Sequence, residues 1–219
     1  MYNKEFTERI TRLECRKDDI ATSTEDIKYD KESPFLKYYS FDAVSGAIDK
    51  LLEGKWDVEF IGRWAYQYCW ILLGGCAPDT HEELDFIGEI LKNIITYAID
   101  GLSFFDSSHK EYARDANEMK DLFGKLDCIW KTREEWRAVC TSAVDEDGAS
   151  YCQYILFIND TSREEMMVYY DGYEEEFSKG NFKNLCDSEF SKLFETLKND
   201  GYKVIEFSEK FYYMDFEDD

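Results

Sequence analysis

Histidine and proline are nearly absent from this chain: His81 and His109 are the two histidines, Pro34 and Pro78 the two prolines. So little imidazole leaves few groups for acid–base work near neutral pH or for a transition-metal centre. Both histidines fall near the start of predicted helices, where the positive end of the helix dipole disfavours the imidazolium. A Cys76–His81 pair is near enough in sequence for a nucleophile and its base, but nothing around it supplies a third group or an oxyanion hole. No Pro-rich linker, low-complexity tract or internal repeat marks a domain boundary. None of GxGxxG, GxxxxGK(S/T), HExxH or GxSxG occurs, and Asp145-Glu146-Asp147-Gly148 lacks the alternating ligands and closing Glu of an EF-hand. The expectation is a chain with no catalytic residue, no metal and no cofactor.

Long apolar runs are missing as well. The uncharged stretch from Trp64 to Pro78 is well short of the roughly 20 residues a membrane span requires. The N-terminus, MYNKEFTERITRLECRKDD, is charged and contains no segment resembling a signal peptide, so the expected compartment is the cytosol. The seven cysteines are odd in number and show no CxxC spacing, which favours reduced, mostly buried thiols over disulfides or zinc.

Basic residues are scarce: 26 Lys and Arg stand against 48 Asp and Glu, a formal net charge of −22. A field of that sign argues against direct contact with nucleic acid or anionic membranes, which need clustered Lys and Arg. It attracts a basic protein, and it also keeps an aromatic-rich chain in solution. Arg9, Arg12, Arg16 and Lys17 make the one basic cluster, either a partner site or, as expected here, a set of ion pairs with the acidic remainder.

What the chain does have is a strongly apolar stretch, Trp56 to Gly75, with Asp57 as N-cap and Val58, Ile61, Trp64, Ala65, Tyr68 and Leu72 at helical spacing. Trp70, Ile71 and Leu73 add apolar groups on the other faces, so the spacing predicts a core helix wrapped by neighbours. Before it, Phe6, Ile10 and Leu13 suggest a first helix, and Ser40 caps a second that Gly54 ends. After it, Thr80 with Glu83 and Ser108 with Glu111 read as capping boxes of two helices stopped by Gly101 and Gly124. Beyond Lys131 the pattern turns to strands at 136–144, 151–158 and 166–170, then a helix capped by Ser188 and stopped by Gly201, then strands at 202–207 and 211–216.

The fold class expected is α+β: a helical region over 1–130 with about four helices, packed on an antiparallel sheet with one helix over 131–219, as two regions or as a single compact domain. The C-terminal part is the denser acid field, with net −12 over 89 residues. Its acids, Asp145, Glu146, Asp147, Asp171, Glu174, Glu175, Glu176, Asp215 and Glu217, are interleaved with aromatics such as Tyr173. Acids beside aromatics are what a surface carries when it must steer and then anchor a basic partner, and these ten residues are the candidate partner site. The same interleaving arises if the aromatics face the core and the acids lie on loops. The functional expectation is a cytosolic protein that masks a basic one, of the kind exemplified by immunity proteins against bacterial toxins, commonly nucleases. The alternatives are a DNA-mimicking inhibitor of a nuclease or DNA-binding protein, and an enzyme without a recognisable motif.

Overall fold

The computed structural model describes residues 4–20, 35–74, 84–105, 110–144, 150–173 and 183–205. Two compact units divide the chain, Met1–Leu84 with Lys92–Asp127, and Asp85–Leu91 with Cys128–Asp219.

The first unit is built around helix α4 (Val58–Gly74). Asp57 caps it, its Oδ1 accepting from the Phe60 N–H at 2.7 Å. Helices α1 (Lys4–Thr11), α2 (Phe35–Tyr38) and α3 (Phe41–Leu52) pack on it and leave Ile61, Trp64, Ala65, Tyr68, Ile71 and Leu72 without solvent exposure. Trp56, Phe60, Trp64 and Tyr68 recur every four residues and so stack along one face, with the Trp64 and Tyr68 ring centroids 4.9 Å apart. The polar ends of these rings are satisfied: Trp64 Nε1 donates to the Ile10 carbonyl at 3.1 Å, and Tyr68 Oη donates to the Tyr38 carbonyl at 2.8 Å while accepting from the Ser40 N–H at 3.1 Å. Gly54, at φ 72°, ends α3 in the left-handed conformation that glycine alone adopts cheaply.

Helices α5 (Phe86–Ser103) and α6 (Tyr112–Lys131) follow. Asp85 caps α5, accepting from the Gly88 N–H at 2.7 Å. The expected capping residues Thr80, Glu83 and Ser108 lie outside the described residues. Neither Gly101 nor Gly124 stops its helix, because the apolar stripe continues past each into Leu102, and into Leu126 and Ile129, all buried.

In the second unit β1 (Trp136–Val144), β2 (Ser150–Asn159) and β3 (Glu164–Tyr173) form the expected antiparallel meander. The turn between β2 and β3 closes on Asn159, whose Oδ1 accepts from the N–H groups of Thr161 and Ser162, both at 2.9 Å. The sheet as a whole is mixed, in the order β4-β1-β2-β3-β5: β4 (Lys183–Leu185) runs parallel to β1, and β5 (Lys203–Ile205) parallel to β3. Helix α7 (Asp187–Asn199) lies between those two edge strands in the chain, and a helical return carries the chain back to strands of the same direction. Leu197 of α7 is buried with Val139, Leu156, Ile158 and Leu185, with Phe190 and Leu193 packed against them. The expected strand at 211–216 lies outside the described residues.

The wrapping of α4 is incomplete, contrary to the reading from composition. Leu73 is 45% exposed, and Tyr66 and Trp70 are half-buried. Helices α1, α2 and α3 pack on α4, and among the described residues the flank carrying Tyr66, Trp70 and Leu73 faces α5.

Candidate functional site

That flank lines a cleft of about 210 Å³. Tyr66, Cys69, Trp70 and Leu73 come from α4, and Asn93, Thr96, Tyr97 and Asp100 from α5. Each set has the spacing i, i+3, i+4, i+7, so each is a single helix face. Gly62, one turn before Tyr66, lets the end of α5 come close: a Cβ there would stand 2.6 Å from the Phe105 carbonyl oxygen.

Aromatic surface dominates the walls. Tyr66 and Trp70 meet edge to face with centroids 6.4 Å apart, and Tyr97 is 56% exposed. The buried Thr96 is satisfied by its own helix, donating to the Lys92 carbonyl at 2.7 Å. Asp100 is half-buried and accepts one hydrogen bond from Ser103 Oγ at 3.0 Å; among the described residues no cation pairs with it. Burial raises its pKa above the usual carboxylate range, and the Ser103 bond offsets part of that shift. Burial, and secondarily the Asp100 carboxylate, push the Cys69 thiol up to about 12, so it stays protonated and is a poor nucleophile at neutral pH. Pockets for drug-sized ligands run to about 300–1,000 Å³. This cleft suits one side chain instead.

Of the residues nominated from sequence, Asp145, Glu146, Asp147, Glu174, Glu175, Glu176, Asp215 and Glu217 lie outside the described residues. Asp171 and Tyr173 lie on β3, Tyr173 opposite Tyr151, and Asp171 where the β2–β3 register shifts. The cleft residues were not nominated, because apolar groups all round a helix read as burial; the signal available was the pair of i, i+3, i+4, i+7 faces mixing aromatics with Asn93 and Asp100.

The basic cluster is internally neutralised. Arg9 pairs with Asp19 at 2.7 Å, Arg12 with Glu8 at 3.7 Å, and Lys17 with Asp57 at 3.1 Å and Glu59 at 2.7 Å. Two fully buried polar side chains, Gln67 and Glu165, have no hydrogen-bond partner, and neither lines the cleft. Among the described residues no three of His, Cys, Asp and Glu come together as a metal site, and no helix is long and apolar enough to cross a membrane. His81 and His109 are outside those residues. Set against known protein families, curated proteins and solved structures, the chain matches none.

Proposed function

We propose that this protein is an acidic cytosolic binding protein that masks a basic partner, in the manner of an immunity protein that neutralises a nuclease-like toxin. The observation that carries the reading is the cleft: partly exposed aromatic side chains around a carboxylate that no cation among the described residues pairs with, in a chain of net charge −22. Partly exposed Trp and Tyr in a concave setting are the residues that anchor protein interfaces. Surplus acid supplies the complementary field and the steering. The basic cluster is paired with carboxylates of its own chain, so it is not offered as a separate site for an acidic partner. A DNA mimic calls for rows of acids at phosphate-like spacing, and an aromatic concavity serves it poorly. An enzyme calls for convergent activated groups, and the cleft's thiol is protonated.

The test is association and dissociation kinetics with the protein that the chain captures from its native cell. Charge reversal at Glu174, Glu175 and Glu176 slows association, and the effect shrinks as added salt brings the Debye length below about 8 Å. Alanine at Trp70, Tyr97 or Tyr173 speeds dissociation instead. An acidic partner, or binding indifferent to salt and to all these changes, overturns the proposal.

A further inference from the structure

We infer that the α4–α5 cleft is a receptor for one arginine side chain of the partner, with Asp100 as its counter-ion and the rings of Trp70, Tyr66 and Tyr97 as its stacking surface. This rests on the masking function proposed above and names the group that the site recognises.

Four features of the cleft point to a cation. Asp100 is drawn partly out of water, and its one hydrogen bond, from Ser103, engages Oδ1. Oδ2 is left for a donor, and burial without a compensating charge holds the carboxyl above its ordinary pKa. Second, Asp100 lies in the last turn of α5, where the helix dipole makes the end negative and favours a positive group. Third, three aromatic residues, Tyr66, Trp70 and Tyr97, line the cleft, and aromatic rings attract cations through the ring quadrupole. Fourth, the net charge of −22 gives the molecule a long-range field that attracts basic groups.

The chemistry of the two basic side chains selects arginine over lysine. The guanidinium is planar and weakly hydrated, so it can lie against an indole or phenol ring and direct its N–H groups in plane at a carboxylate. An ammonium is a compact, strongly hydrated point charge that would lose water on entering an apolar slot. The cleft, at about 210 Å³, has room for the three-carbon stem and its head. The protonated Cys69 adds a soft, uncharged floor that does not compete for the cation.

The experiment uses the intact protein and three small probes: N-acetyl-arginine methylamide, its neutral isostere N-acetyl-citrulline methylamide, and N-acetyl-lysine methylamide carrying a free side-chain amine. The readout is the ¹H–¹⁵N resonance of the Trp70 indole, assigned with Trp70→Phe. The arginine probe shifts it saturably in the millimolar range expected for so small a ligand. The citrulline probe binds at least about tenfold more weakly, as loss of a charged hydrogen bond and a cation–π contact requires. The lysine probe falls between them. Asp100→Asn lowers arginine affinity about tenfold toward the citrulline value, and Tyr97→Ala, an exposed position, weakens it severalfold. Urea midpoints of both variants establish that the fold is kept. Equal binding of the arginine and citrulline probes, a lysine probe as tight as the arginine one, an Asp100→Asn variant that binds arginine as the parent does, or no saturable shift overturns the assignment. If the probes fail while charge reversal still slows capture of a basic partner, this subsite is wrong and the masking function stands. If capture fails as well, both fall.

Discussion

Gly62→Ala separates what a helix prefers from what this packing allows. In a helix interior, replacing glycine by alanine stabilises by up to about 1 kcal/mol, because alanine has less backbone entropy to lose. At Gly62 the new Cβ would stand 2.6 Å from the Phe105 carbonyl oxygen and 3.1 Å from that of Ser103. Carbon–oxygen contacts settle at about 3.3–3.6 Å, so α4 and the end of α5 would have to part by about 0.7 Å. Both obstructing atoms are backbone and cannot rotate away. Overpacking of this kind costs about 1–3 kcal/mol, occasionally more, and here the upper part of that range applies. After the propensity gain is subtracted, the variant is expected to lose about 1–2 kcal/mol. Gly124→Ala is the matched control: it too is a mid-helix glycine, but its nearest neighbour is Phe41 Cζ at 3.6 Å, an ordinary contact. It should gain about 0.5–1 kcal/mol. Urea denaturation of the parent and both variants, compared at constant slope, reads the two shifts with opposite sign. A Gly62→Ala protein as stable as the parent, or two variants that move together, would refute the close approach of α4 to α5. The geometry of the cleft would then fall with it.

Glu165→Met should stabilise the protein by about 1–3 kcal/mol at neutral pH, since it removes a fully buried carboxyl with no partner from the row Arg137, Ile158, Glu165, Val204 across the sheet. Burial raises the Glu165 pKa above its ordinary value of 4.5, so the parent's folded state carries no ionisation penalty below that pH and loses stability as pH rises through the raised value. The gap between variant and parent should therefore widen from pH 5 to pH 8 in urea titrations; a flat or reversed gap contradicts the burial. Iodoacetamide applied to the native protein at pH 8 should label the exposed Cys128 and Cys186 and spare the buried Cys15, Cys69 and Cys140, with the thiols of Cys15 and Cys69 held up at about 11 and about 12. Peptide mapping that finds Cys69 modified as fast as Cys128 would show that the floor of the cleft is open to solvent and ionisable.

Sequence periodicity alone determined the elements whose signal is local. The helical spacing of Val58, Ile61, Trp64, Ala65, Tyr68 and Leu72 specifies α4, Ser40 and Gly54 bracket α3, and the β-branched and aromatic run over 136–144 specifies β1. From these follows the α+β order of helices and then sheet. Elements of three or four residues, α2 and β4, had too few positions for a period to register, and they exist because Phe35, Tyr38 and Leu185 find burial elsewhere in the chain. The direction of β4 and β5 was likewise not local, since it depends on α7 carrying the chain back to the same end of the sheet. Above all, a helix apolar on every side does not state which side its neighbours will cover. Only the placement of α1, α2 and α3 on one face of α4, and the approach of α5 permitted by Gly62, left Tyr66, Trp70 and Leu73 facing Tyr97 and Asp100 across an open cleft. Burial is a property of where distant segments come to rest, and no window of sequence contains it.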